Sequence, residues 1–136
     1  MQLFQAMEKF ISSSKKGTIL MSLGTNVKSH LLGEKLLTNI LKTFAAMPEY
    51  NFFWKFEAEE SELPIKPTKN VMLGKFLPQN DILAHSKVVG FISHGGMLST
   101  HEALYHGVPV IGKSNEKKYL KLFNEIFVVS RNSFPR

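Results

Sequence analysis

The sequence predicts an α/β fold, a parallel sheet with helices packed on both faces. Three observations lead there. Short apolar runs of strand length recur along the chain. Segments with helical spacing separate them. Several runs end directly in loops carrying glycine or asparagine, as strands do when they hand over to a helix. Alternation of this kind needs a parallel sheet, because each crossover helix returns the chain to the same edge.

The elements follow in order. Thr18 to Leu23 reads as a buried strand ending at Gly24-Thr25-Asn26. Leu32, Leu36, Leu37, Ile40, Leu41 and Phe44 then recur at helical spacing, with Ser29 as the expected cap and Pro48 as the stop. Asn51 to Phe56 is a second strand. Glu57 to Lys69 is acidic, then proline-bearing, and reads as a surface loop. Asn70 to Leu73 is a third strand, leading into Gly74-Lys75-Phe76-Leu77-Pro78. Asn80 or Asp81 is expected to cap a short helix through His85. Val88 to Ser93 is a fourth strand, followed at once by His94-Gly95-Gly96 and a helix from Ser99 to His106, which Gly107 is placed to end. Val108 to Ile111 is a fifth strand whose proline favours an early or edge position.

Bulk properties narrow the function. The 136 residues, 43% hydrophobic and 21% charged, suit one globular domain with a core. With no cysteine, a disulfide framework and a thiolate metal site are excluded. The net charge of +6 is scattered, apart from Lys113, Lys117, Lys118 and Lys121. A nucleic-acid reading rests on that charge alone, without a basic stripe or a known module, and is set aside. The N-terminus lacks the pattern of a signal peptide, and no run of about 18 apolar residues suggests a membrane span.

Ligands of such sheets bind beyond the carboxyl ends of the strands. The loops 24–26, 74–80 and 94–99 are therefore the ones to inspect. The third carries the strongest local feature, Phe91-Ile-Ser-His-Gly-Gly-Met-Leu-Ser-Thr-His-Glu102. A strand delivers His94 to the sheet edge. Gly95 and Gly96 allow a tight turn and close backbone approach to a ligand. A helix then begins, so its free N–H groups and dipole face the same point, as a phosphate site requires. His94 and Ser99 can each add a hydrogen bond, and Glu102, one turn further on, can accept from ribose hydroxyls. The alternative is a common strand-to-helix turn in which His94 only caps the helix.

The second feature is Phe76 with Gln79. A flat apolar ring beside an amide can stack on a base and read its edge. Here the alternative is an ordinary loop with Phe76 in the core. No G-x-G-x-x-G or Walker-type sequence occurs, which argues against a dinucleotide dehydrogenase and a P-loop NTPase. His101 and His106 fall on different helix faces and make no familiar metal spacing with His94. His30 and His85 read as surface or packing residues. No Ser/His/Asp arrangement stands out.

Three segments together resemble the UDP-glycosyltransferase family, which includes the glucuronosyltransferases. They are Met21-Ser-Leu-Gly-Thr-Asn-Val-Lys-Ser29, Phe76-Leu-Pro-Gln-Asn-Asp-Ile-Leu-Ala-His85 and Phe91 to Pro109. The resemblance runs from about Leu3 to Gly112 and is nearest to insect members. It implies one half of a GT-B enzyme: the Rossmann-like C-terminal domain that holds a UDP-sugar. The acceptor, a small lipophilic alcohol, and the catalytic His–Asp pair would belong to an N-terminal domain or a partner chain. No catalytic residue, metal or cofactor is expected in this segment. The resemblance further implies that His94 contacts the diphosphate and that Ser22, Gly24 and Thr25 lie close to the nucleotide. Phe76 stands where a tryptophan usually stacks on uracil, Gln79 matches its neighbouring glutamine, and Glu102 matches the ribose-binding glutamate. Lys55 sits near a position that is often arginine beside the base.

The sequence also departs from the family. Leu98 replaces a phosphate-binding asparagine of many relatives. After Gly112 the usual Asp-Gln pair that grips the sugar is absent, and residues 113–136 form a divergent tail in which Tyr119, Leu120, Phe123, Ile126 and Phe127 suggest an amphipathic helix. Family members are expected at the endoplasmic reticulum membrane. With no signal peptide or anchor in this sequence, a soluble chain is expected, with the cytoplasm as one compartment open to it. Two readings follow: a hexosyl transferase of which this chain supplies the UDP-binding half, or a truncated, non-catalytic UDP-binding module that pairs with another chain.

Overall fold

A computed structural model describes residues 2–23, 28–93, 97–112 and 127–129. Its elements are α1 (Gln2–Ser12), β1 (Gly17–Ser22), α2 (Glu34–Ala45), β2 (Tyr50–Lys55), β3 (Val71–Gly74), α3 (Gln79–Ala84), β4 (Val88–Ser93), α4 (Met97–Tyr105), β5 (Val110–Gly112) and β6 (Phe127–Val129). One sheet runs in the order β3-β2-β1-β4-β5-β6. The pairs from β3 to β5 are parallel, and β6 adds antiparallel to β5. This is the Rossmann-like order, with its switch point between β1 and β4.

The strands form because apolar side chains alternate across two buried faces. On one face Leu20, Phe53 and Phe91 pack with Met7 and Ile11 of α1, Ile82 and Leu83 of α3, and Ala103 of α4. On the other, Met21, Phe52 and Trp54 pack with Leu37, Leu41 and Phe44 of α2. Helices therefore cover both faces, as the alternation of elements predicts. The second face is aromatic: Phe44 stacks on Phe52 with centroids 3.9 Å apart, and Trp54 meets Phe56 at 5.3 Å.

Polar ties fix the helix ends. The Asn70 amide donates to the carbonyls of Phe44, Met47 and Tyr50, tying the end of α2 and the turn into β2 to the start of β3. The Asn51 amide donates to Phe10 O at 2.6 Å and so fixes the end of α1. Gly107 ends α4 as expected. Its φ of 72° is left-handed, and Val108 N–H reaches Ala103 O while Gly107 N–H reaches Leu104 O. That pair of bonds is a Schellman closure.

Several expectations are corrected. Ser29 does not cap α2. It opens a 3-10 turn, Ser29–Leu31, and Gly33 with φ 88° precedes the helix. Neither Asn80 nor Asp81 caps α3, which starts at Gln79 after Pro78. Pro109 lies just before β5, consistent with an early position. The N-terminal segment, absent from the sequence-based expectations, is a helix. Its signal is the spacing of Met7, Phe10 and Ile11, with Met7 and Ile11 buried. Phe127 belongs to a strand, not a helix; Tyr119, Leu120, Phe123 and Ile126 lie outside the described residues. No helix among the described residues is long and apolar enough to cross a membrane.

Candidate functional site

The carboxyl edges of β1 and β4 lie side by side, with Ser22 opposite Ser93 in register and both buried. The crevice that receives ligands in folds of this order opens beyond that edge. Of the residues singled out by sequence, Gly24, Thr25, His94, Gly95 and Gly96 lie outside the described residues. Ser22, Phe76, Gln79, Ser99 and Glu102 are described.

Three of these come together. Gln79, at the first turn of α3, donates from Nε2 to Ser99 Oγ at 3.2 Å and to Glu102 Oε2 at 2.9 Å. Ser99 and Glu102 are three residues apart on α4 and therefore share one of its faces. The bond to the carboxylate is charge-assisted and is the stronger of the two. All three residues are part-buried and so remain open to solvent.

Phe76 is 88% exposed. The core alternative for this ring is thereby excluded. The local cause is the turn after β3, where Gly74 leaves space that a Cβ would take from the Leu77 side chain. Leu77 then packs against the core and Phe76 turns outward. Leu98, on the first turn of α4, is also exposed at 80%. The ammonium of Lys75 pairs with Glu59 on the β2–β3 connection. Lys55 is half-buried at the end of β2, where its carbonyl accepts from Ser29 Oγ at 3.1 Å.

Two polar arrangements were not anticipated. Ser29 is fully buried and accepts from Trp54 Nε1 at 3.2 Å, while its N–H donates to Glu57 at 2.9 Å. It ties the segment after β1 to the carboxyl end of β2. His106 meets Asn80 Oδ1 from Nε2 at 2.8 Å, a second link between α3 and the end of α4. Sequence spacing gave no signal for either, because each joins residues about twenty-five positions apart. Among the described residues no group of three acidic or histidine side chains is placed to hold a metal ion.

Comparison with known proteins converges on one family. Residues 2–114 match the sequence profile of "UDP-glucoronosyl and UDP-glucosyl transferase". The chain is 43% identical over 108 residues to UDP-glycosyltransferase UGT5 of Dactylopius coccus, covering 79% of this chain and 20% of that protein. It is 39% identical over 107 residues to UDP-glucuronosyltransferase 2A2 of Homo sapiens, covering 78% of this chain and 19% of that protein. The chain thus spans about a fifth of the length of these relatives. Among solved structures, Os79 from O. sativa in complex with UDP superposes with a TM-score of 0.64 at 26% identity, over 86% of this chain and 28% of that one. Medicago truncatula UGT71G1 complexed with UDP-glucose shares the fold, with a TM-score of 0.62 at 19% identity over 81% and 25% of the two chains. A profile match over most of the sequence, relatives at 43% and 39% identity and a shared fold leave one assignment: the chain belongs to the UDP-glucuronosyl and UDP-glucosyl transferase family.

Proposed function

We propose that this chain binds the UDP moiety of a UDP-sugar and forms the donor half of a hexosyl transferase acting on a small lipophilic alcohol. The observation that carries the reading is the Gln79–Ser99–Glu102 cluster together with an exposed Phe76 three residues before Gln79. A solvent-exposed aromatic ring on the loop that leads into a paired amide and carboxylate supplies the chemistry that a base and a ribose need. Phe76 stacks on the uracil, Gln79 lies alongside, and Glu102 accepts from the ribose hydroxyls. Ser99, the first turn of α4 and the segment His94-Gly95-Gly96 receive the diphosphate. Ser22, Gly24 and Thr25 border the nucleotide from β1.

In the reaction an acceptor hydroxyl, deprotonated by a base on the acceptor side, attacks the anomeric carbon with inversion. The C–O bond to the diphosphate breaks and UDP leaves. The residues of this chain hold the donor and offset the charge that develops on the leaving oxygen. The base belongs to sequence beyond the matched segment, and no cofactor or metal is assigned a step.

Calorimetric titration of the purified chain tests the binding half. UDP should give saturable heat, and ADP much less. Absence of binding heat for UDP up to millimolar concentration would refute the proposal.

A further inference from the structure

We infer that His106 is a positioning residue for the nucleotide site, acting through Asn80 to hold Gln79 against Ser99 and Glu102. The inference rests on the binding role proposed above for that cluster. Ser99, Glu102 and His106 follow one another at three- and four-residue steps, so they form a single stripe along α4. Gln79 and Asn80, consecutive at the start of α3, read that stripe at two levels. Gln79 bonds Ser99 and Glu102, and Asn80 Oδ1 accepts from His106 Nε2.

The two levels differ in what a ligand does to them. The partners of Gln79 are the hydroxyl and carboxylate that a nucleotide would compete for. His106 lies two turns further on, in the turn that closes α4, about 10 Å of helix rise from Ser99. A nucleotide at the start of α4 leaves the His106–Asn80 bond intact. That bond therefore keeps the start of α3 in register while Gln79 exchanges its partners.

The start of α3 needs such a tie. The helix has six residues, too few to be stable alone, and Pro78 supplies no side-chain cap. Its buried anchors, Ile82 and Leu83, sit in its second half. His106 is itself well fixed. Its N–H bonds Glu102 O at 3.2 Å, the Gly107 closure follows it directly, and its ring lies edge-on to Tyr105 at 5.0 Å.

The test uses the whole chain and two readouts. In 1H–15N spectra without ligand, the Gln79 side-chain amide should be shifted and protected from exchange. In His106→Ala and in Asn80→Ala it should collapse to the values of a free glutamine. In His106→Gln, whose amide nitrogen can occupy the place of Nε2, it should be retained. UDP affinity should fall about two- to tenfold in His106→Ala and Asn80→Ala, and stay within about twofold in His106→Gln. Adding His106→Ala to Gln79→Ala should cost less than about twofold more, because the effect passes through Gln79. An unchanged Gln79 signal in both alanine variants overturns the inference whether or not UDP binds. So does a His106→Gln variant as weak as His106→Ala, or a full additive loss in the double variant. Failure of the wild-type chain to bind UDP, with the amide signals behaving as expected, instead overturns the proposed function. If His106→Ala does not fold, the exposed Asn80→Ala decides the same question.

Discussion

Phe76 lets function be separated from stability, because its ring faces solvent. At 88% exposure its ring contributes almost nothing to the core. Replacing it with alanine should change stability by less than about 0.5 kcal/mol and Tm by no more than about 2 °C. If the ring stacks on uracil, the same change removes a base–aromatic contact of about 1–3 kcal/mol, which weakens UDP binding about 5- to 160-fold. Tryptophan at this position should act in the opposite direction. Roughly 30 Å² of additional ring at about 25 cal/mol per Å² is about 0.8 kcal/mol, or about fourfold tighter binding. The assay is calorimetric titration of UDP into wild type, Phe76→Ala and Phe76→Trp, beside thermal melts of each. Wild-type affinity in Phe76→Ala would refute the stacking role. A large drop in Tm would refute the reading of the ring as a solvent-facing ligand contact.

Four further outcomes follow from other parts of the molecule. Glu102→Gln keeps shape but removes charge, and should weaken UDP binding about tenfold while narrowing the preference for UDP over its 2′-deoxy analogue; an unchanged preference would remove the ribose role. Ser29→Ala strands the buried Trp54 N–H, so urea denaturation should show a loss of about 1–3 kcal/mol at constant m-value. Gly107→Ala forces a Cβ into left-handed backbone at φ 72° and should lower Tm by about 3–5 °C. Glu8 is held below the usual carboxylate range, first by its hydrogen bond with His85 and then by that from Ser12. A depressed folded value stabilises above the unfolded pKa and is lost as pH falls through the folded one. Melts of Glu8→Gln should therefore lose part of the wild-type decline between about pH 5 and 2.

The parts of the fold that were legible in sequence are those where one face decides. Each of the three six-residue strands, β1, β2 and β4, carries enough apolar residues in a row to be buried on both sides, and α2 shows an unbroken helical stripe. Gly107 was legible because a helix end in left-handed backbone selects glycine. The caps were not. Ser29 has the side chain of a cap, but a buried indole N–H four strand positions into β2 claims its oxygen, and only the folded chain brings them together. α1 carries its signal in Met7, Phe10 and Ile11, but polar Gln5, Glu8 and Lys9 interleave with them, and Met7 and Ile11 become a buried stripe only when the sheet is beneath them.

The candidate site was legible as residues and illegible as a cluster. Phe76 and Leu77 are adjacent and both apolar, so sequence left open which one turns inward. The turn at Gly74 decides it by giving the interior to Leu77. The meeting of Gln79 with Glu102 has a topological cause. β3 lies at the edge of the sheet, while β4, which follows it in the chain, lies on the far side of β1. The connection must cross β2 and β1 to get there, and α3 is carried across the face on which α4 also packs. The crossover at the switch point thus places the amide of one segment beside the carboxylate of another, 23 residues later. A chain that folded each element correctly but paired β4 beyond β3 would keep every motif and lose the site.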